Sequence, residues 1–226
     1  MSDKITLVVG ASRGIGHELV HQLSQNPQNK VYATVRQPIP FPSSNVKSIT
    51  LDQRSNTSIA AAASQIPELD TLIINAAIGK DEKLLDTTDT RLAEYFDVNA
   101  IGALRIVQAF LPALKARKTR KILLISSQSG SMARQINATG GFRGPYAVSK
   151  AALNMIAVQL HNELHEEGFT VVPLHPGWVA TDMGNEAGSG AMPIPKSVEG
   201  ILHVLEKVTL EDSAKFYLWD GAILPW

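Results

Sequence analysis

Tyr146 and Lys150 stand four residues apart at the start of a helix-type segment, so both project from one helical face. A phenol with its ordinary pKa of about 10 is a poor proton shuttle. A lysine ammonium beside it favours the phenolate and is expected to bring the hydroxyl toward useful acid–base range. Upstream, the apolar run from Lys121 ends in Ser126-Ser127-Gln128-Ser129-Gly130. A hydroxyl at the carboxyl end of a strand lies where open α/β sheets gather ligands. Ser127 is positioned to donate to a carbonyl oxygen as negative charge grows on it. Ser126 and Ser129 compete for that role, and a plain strand-end turn is the bland alternative. The chemistry these residues point to is proton delivery to a polarised carbonyl.

A second pattern lies at the other end of the chain. The first apolar run ends in Gly10-Ala-Ser12-Arg13-Gly14-Ile15-Gly16 and passes straight into a helical pattern. Glycines there permit a tight turn, close approach of a pyrophosphate and close helix–strand packing. The helix N-terminus then offers free N–H groups and the positive end of its dipole to phosphates. The spacing, Gly-x-x-x-Gly-x-Gly, differs from the common Gly-x-Gly-x-x-Gly. Its place, after the first strand and opening the first helix, marks it as a dinucleotide turn. About 20 residues further on, an acid would grip a ribose hydroxyl and an arginine would meet a 2′-phosphate. That position holds Arg36, preceded by Val35. Arg13 offers a second guanidinium, so the expected cofactor is NADP, as NADPH. Two solvated arginines are the bland alternative.

These groups must be positioned by a framework, and the hydrophobic pattern describes one. Strand-type runs are expected at Lys4–Val9, Lys30–Val35, Val46–Leu51, Leu69–Asn75, Lys121–Ser126, Phe169–Leu174 and Lys215–Leu218. Most are unbroken Val/Ile/Leu stretches, as strands covered on both faces are. Helical patterns are expected at Gly14–Gln25, Asn56–Gln65, Thr88–Arg117 (two helices or one bent one), Tyr146–Glu167 and Ser197–Val208. The alternation implies an α/β, three-layer, doubly wound Rossmann fold with a parallel sheet of about seven strands. Its 226 residues suit one such domain spanning 1–226. Pro38–Pro42 is expected as a surface loop, and Met183–Pro195 as either a mobile lid or a plain connection.

Composition narrows the classes. Lys+Arg and Asp+Glu both number 21, which gives no long-range attraction to nucleic acid or anionic membrane. No cysteine is present, which excludes disulfides, thiolate catalysis and cysteine metal sites and suggests a reducing compartment. The apolar runs read as short of the roughly 20 residues a bilayer span needs. The N-terminus shows no basic segment followed by an apolar stretch, so no signal peptide is expected and the cytoplasm is the expected compartment. His17/His21 and His161/His165 have chelating spacing, but neither fits His-Glu-x-x-His, and no metal site is expected.

Taken together, these motifs resemble the short-chain dehydrogenase/reductase family over nearly the whole chain. Gly10–Gly16 is similar to its cofactor turn, and Asn75-Ala76-Ala77 to its Asn-Ala-Gly motif. Asn99 is similar to its helix asparagine, Ser127 with Gly130 to its Ser-x-x-Gly element, and Tyr146 with Lys150 to its Tyr-x-x-x-Lys pair. Pro176-Gly177-Trp178-Val179-Ala180-Thr181-Asp182-Met183 is similar to the segment flanking the nicotinamide. Within the family, Gly140-Gly141, Ser149–Asn154 and the ending Gly221–Trp226 resemble the carbonyl-reductase branch that contains sniffer and C-factor proteins.

The resemblance implies NADPH-dependent reduction of a small ketone, aldehyde or quinone. Tyr146 would be the general acid, and Lys150 would hold the nicotinamide ribose and tune Tyr146. Ser127 would orient the carbonyl, and Asn99 would anchor a water linking Lys150 to solvent. Ile15 would contact the cofactor through its backbone, Asp52 the adenine and Asn75 the adenine-side ribose. Val179 and Thr181 would meet the carboxamide and phosphate end. Relatives often pair through the helices around Asn99–Lys115 and Tyr146–Glu167, implying a homodimer or homotetramer, although some are monomers. Two departures stand out: Ala77 replaces a glycine, and Ser127 and Tyr146 are further apart than is usual.

The apolar group Met132, Ile136, Phe142, Trp178, Met183 and Met192 is expected around a hydrophobic substrate, some of it as plain core, with the charge of Arg143, three residues before Tyr146, counting against that reading. Other readings are an NADPH-sensing regulatory protein without turnover, and an epimerase or dehydratase on the same fold. The intact Ser127, Tyr146 and Lys150 set disfavours the sensor. The chain length leaves little sequence for the substrate domain that the last two usually add.

Overall fold

The unbroken apolar runs pair as parallel strands in a computed structural model of the chain, which describes residues 4–138, 141–186 and 188–226. The strands are β1 (Ile5–Val9), β2 (Lys30–Val35), β3 (Val46–Thr50), β4 (Thr71–Ile74), β5 (Lys121–Ile125), β6 (Thr170–His175) and β7 (Tyr217–Leu218). They form one seven-stranded sheet in the order β3-β2-β1-β4-β5-β6-β7. Every neighbouring pair is parallel, with Val9 at the end of β1 registered to Thr34 on one side and Ile74 on the other. The order reverses between β1 and β4, so the carboxyl ends of those strands open a crevice there.

Helices cover both faces: α1 (Gly14–Ser24), α2 (Asn56–Ala63), α3 (Asp89–Phe96), α4 (Gly102–Lys115), α5 (Met132–Gln135), α6 (Gly144–Leu164), α7 (Asp182–Asn185) and α8 (Ile194–Lys207). One core joins α2, α4 and α6 to the sheet through Ile59, Phe110, Leu153 and Ile122. The opposite core joins α1 and α8 through Leu19, Ile201, Val31 and Val172. With strand side chains alternating between faces, each strand must be apolar on both, which is why its sequence does not alternate.

Several element bounds shift, and the reading of the apolar runs changes. The pattern Thr88–Arg117 is two helices joined by a π-helical turn at Asp97–Ile101, so the axis is continuous from Asp89 to Lys115. That length is apolar enough to span a bilayer by composition, against the reading that the apolar runs are too short. More than half of its most apolar stretch is packed inside the protein. Helix α8 starts at Ile194, not Ser197, because Pro195 occupies its first turn, where a missing N–H costs nothing. Helix α6 likewise starts at Gly144 with Pro145 in its first turn, and ends at Leu164 before a short 3₁₀ turn at His165–Glu167. The last strand is only Tyr217–Leu218, the terminal ladder residues beside β6.

Candidate active site

The chain turns at Gly10 with φ +84, and a Cβ there would lie 2.6 Å from that of Ala76. Gly16 packs so closely under the turn that a side chain would strike the Gly10 carbonyl and the Asn75 amide. Both neighbouring strands hold this turn. Asn75 Nδ2 donates to the Gly10 carbonyl at 2.9 Å, and Gly10 N–H donates to Thr34 Oγ1 at 3.1 Å. Helix α1 then begins with no side-chain cap and no acidic residue in its first turn. Its first N–H groups and dipole are left to an anion.

The crevice above this turn has a volume of about 480 Å³. Of the residues read as the cofactor set, Gly10, Ser12, Arg13, Gly14, Ile15, Arg36, Asp52, Asn75, Ala76, Tyr146, Lys150, Pro176 and Thr181 line it. Gly16, Gly177 and Val179 do not. Gly16 is a packing position beneath the turn. Gly177, at φ +86, packs on Met192 and Trp219, while the buried Val179 bridges to Met192. That bridge, with hydrogen bonds from Ala180 to Met192 and from Met192 to Trp178, anchors Met192 near the end of the Met183–Pro195 segment, in which Ala187 lies outside the described residues. Thr34, Gln53, Arg54, Ile78, Met183 and Ile194 also line the crevice and carried no motif.

The residues present fit a pyridine dinucleotide. A glycine cradle and an uncapped helix N-terminus face the crevice, and no carboxylate ends β2, where Arg36 stands. Arg36 has no ion-pair partner among the described residues, whereas Arg13 Nη1 is paired with Asp182 at 2.9 Å.

At the other end of the crevice, Tyr146 and Lys150 are both buried on the first turns of α6. Lys150 Nζ donates to the Ile125 carbonyl at 2.8 Å and lies 5.8 Å from the centre of the Tyr146 ring. Ser127 caps the turn after β5 by accepting from Ser129 N–H at 3.1 Å, and its side chain is the neighbour that favours ionisation of the Tyr146 phenol. Ser126 is committed elsewhere, donating to Asn154 Oδ1 at 2.6 Å. Of the three serines, Ser127 is thus the one whose side chain bears on the Tyr146 phenol.

The electrostatics differ from the sequence expectation. Burial pushes the Tyr146 phenol up to about 12, with the Ser127 side chain acting the other way. Burial also brings the Lys150 ammonium down to about 7. A lysine so desolvated carries only part of its charge near neutrality, so it does not draw the phenol toward ionisation here.

Asn99 sits in the π-helical turn. Its amide donates to the Ile78 carbonyl at 2.8 Å and to Ser149 Oγ at 2.9 Å, and its oxygen accepts from Ile78 N–H. It fastens the segment after β4 to α6 and makes no direct contact with Lys150. Phe142 and Met183 pack on Tyr146, with the Phe142 ring edge-on at 5.4 Å. Met132, Ile136 and Trp178 are exposed, and Met192 lies under Gly177.

A model of the short chain dehydrogenase family matches residues 4–191. The chain belongs to the short-chain dehydrogenase family. It is 40% identical to the C-signal protein of Myxococcus xanthus over 159 residues, covering 70% of this chain and 93% of that one. Among solved structures it is similar to an NADPH-bound carbonyl reductase from chicken fatty liver, with 31% identity and a TM-score of 0.92. That match covers 100% of this chain and 95% of the other. It is also similar to the carbonyl reductase Sniffer of D. melanogaster, with 26% identity and a TM-score of 0.88 over the whole of both chains. As a short-chain dehydrogenase the chain is an oxidoreductase, in a family that uses NAD(P), and it is similar to carbonyl reductases.

Both departures from the family pattern have a structural account. Ala77 is not among the residues of positive φ, so its methyl group sits on backbone that any residue adopts. The long Ser127–Tyr146 connection contains α5, which is docked on the end of the chain. Ala133 N–H donates to the Trp226 carbonyl, and Ser131 Oγ donates to the Pro225 carbonyl. Thr139 and Gly140, the first glycine of the Gly140-Gly141 pair included, lie outside the described residues. The His161 and His165 rings lie 4.6 Å apart, and the spaced histidines have further neighbours. His161 Nδ1 is 2.9 Å from Ser213 Oγ, His21 pairs with Glu18, and His17 stacks on Phe41.

Proposed function

We propose that this chain reduces small hydrophobic ketones, aldehydes or quinones with NADPH. The observation that carries the reading is the buried Tyr146–Lys150 pair, with the buried Ser127 bearing on its phenol, at one end of a crevice whose other end offers a glycine cradle and arginines and no acid at the end of β2. The bound nicotinamide would supply hydride to the carbonyl carbon.

The protein's part is to bind, orient and supply the proton. Ser127 and Tyr146 present two adjacent hydroxyls to one carbonyl oxygen, polarising it. Tyr146, neutral at pH 7, gives its proton to the oxygen as it becomes alkoxide-like, and the alkoxide is the stronger base. Lys150, close to half-protonated near neutrality, hands a proton on to the phenolate left behind and becomes neutral. Ile78, Phe142 and Met183 around Tyr146 favour an apolar substrate and keep water from the reacting oxygen.

The test is NADPH and NADH titration, followed by NADPH consumption with aromatic aldehydes, cyclic ketones and ortho-quinones. NADPH should bind more tightly than NADH. Tyr146→Phe should lose turnover by about 10²- to 10⁴-fold while still binding NADPH. Binding without consumption across the panel would favour the regulatory sensor, and no binding of either nucleotide would sink both.

A further inference from the structure

The first turn of α6, which carries Tyr146, has an unusual support. Its N-cap, Arg143, makes no side-chain cap bond to the helix. A carboxylate from another segment does the work instead. Asp81 Oδ1 accepts both the Arg143 backbone N–H and its Nε at 3.1 Å, and Oδ2 accepts Nη2 at 2.8 Å. A fork-to-fork pair plus a backbone bond fixes direction as well as distance, and a negative charge beside a helix N-terminus suits the dipole.

The segment bearing Asp81 touches Tyr146 as well. Gly79 lies so close that a Cβ there would be 2.8 Å from Tyr146 Cε2. Gly144, at φ +57, presses on the Glu82 carbonyl so tightly that no side chain fits between them. Glu82 is in turn held by α3. Arg91 Nη2 donates to Glu82 Oε1 at 2.7 Å, and the buried Tyr95 hydroxyl donates to the same oxygen at 3.0 Å. Tyr95 belongs to the same apolar cluster as Phe142 and Tyr146. A chain of contacts therefore runs from α3 through Glu82 and Asp81 to Arg143 and the catalytic phenol.

We propose that Asp81 and Arg143 are a positioning pair that sets where the Tyr146 hydroxyl lies, by clamping the first turn of α6 onto segment 79–82. The inference rests on the reductase reading for its catalytic consequence. The pair is half-exposed, with side-chain exposures of 50% and 39%, so it adds little to global stability. Its leverage is geometric, because a misplacement of about 1 Å at a reacting group costs on the order of 10²-fold in rate. The Arg143 bonds hold the Asp81 carboxyl below the usual carboxylate range, so the clamp stays charged at neutral pH.

The experiment uses the full chain, Asp81→Asn, Arg143→Gln, the double variant and the conservative Arg143→Lys. Amide hydrogen exchange is followed at 144–150, kcat and KM with 4-nitrobenzaldehyde, and Kd for NADPH. Each of Asp81→Asn and Arg143→Gln should speed exchange in the first turn of α6 about tenfold. Each should lower kcat by about tenfold, leave Kd for NADPH within about twofold, and be matched rather than doubled by the double variant. Arg143→Lys should recover part of the protection.

Unchanged exchange and kcat in both single variants would overturn the proposal. So would additive losses in the double variant, or a fall in NADPH affinity parallel to that in kcat, which is what general loosening gives. If the unmodified chain consumed no NADPH with any carbonyl, the reductase reading would fall, and the exchange at 144–150 would still decide the clamp.

Discussion

The two ends of the sheet bury ionisable groups in opposite ways. At the amino end, Asp70 precedes β4 and every approach to its carboxylate is filled. It accepts from Ile5 N–H at 2.9 Å, Thr119 Oγ1 at 2.8 Å, and Arg117 Nη2 and Nε at 2.9 and 3.2 Å. At the carboxyl end, Lys150 is equally buried but has one carbonyl for a partner and no carboxylate. His175 Nδ1 beside it is buried with no hydrogen-bond partner among the described residues. Burial disfavours the charged form in both places. Hydrogen bonds, chiefly from Arg117, outweigh it at Asp70 and hold that carboxyl below its ordinary value, and nothing outweighs it at Lys150. A satisfied buried charge ties strands together, whereas an unsatisfied one is poised to exchange a proton, and such groups gather at functional sites.

The sharpest way to break this contrast is to remove the satisfied charge. Asp70→Ala strands the Ile5 amide and the Thr119 hydroxyl and removes one of the partners of Arg117, and should cost about 3 kcal/mol of unfolding free energy. Urea denaturation would measure the loss. NADPH affinity of the molecules that remain folded should not change, since Asp70 stands at the opposite edge of the sheet. A fall in affinity matching the fall in stability would show that the two ends are not separable.

The unsatisfied charge should have a smaller and pH-dependent signature. Unfolded, Lys150 keeps its proton to about 10.5, and folded it releases the proton near 7. Between those values the unfolded chain binds more protons, so stability rises with pH, by up to about 1.4 kcal/mol per pH unit from this group. Above about 10 the raised value of Tyr146 works the other way, because the folded state then keeps a proton that the unfolded state loses. Lys150→Met should therefore flatten the rise between pH 7.5 and 9.5, a difference of about 2 kcal/mol across the window. Parallel stability curves for the two proteins would mean that Lys150 is solvated.

How much of this was legible in the sequence follows the same division. Strands covered on both faces must be apolar throughout, so β1, β2, β4, β5 and β6 stood out as unbroken runs. The glycine turn and the Tyr146–Lys150 pair were legible because each is a local spacing on one element. Contacts between distant segments left no such mark. Nothing in the spacing of Asp70, Arg117 and Thr119, or of Asp81 and Arg143, says that they meet. The π-helical turn that aims Asn99 is also hidden, since residues 97–101 continue a helical pattern without a cap or a breaker. The titration behaviour of Tyr146 and Lys150 was misjudged for one reason: neighbours in sequence showed the charge, while the desolvation that outweighs it comes from elements far along the chain.

The smallest predicted effect sharpens the contrast within the cofactor end itself. Arg36 and Arg13 both line the crevice, but Arg13 already has a carboxylate partner in Asp182 and Arg36 has none among the described residues. On the NADPH reading, a 2′-phosphate would meet Arg36 without breaking an ion pair, whereas Arg13 would give up or share Asp182. Arg36→Ala should therefore weaken NADPH binding by about tenfold, near 1.4 kcal/mol, and leave NADH binding unchanged. Arg13→Ala should weaken it less, because much of the gain from that guanidinium is spent on releasing Asp182. Titration of both variants with both nucleotides decides the matter. If Arg13→Ala proved the more damaging, the phosphate would sit over the glycine turn rather than at the end of β2, and the Asp182 pair would be a contact that the nucleotide displaces.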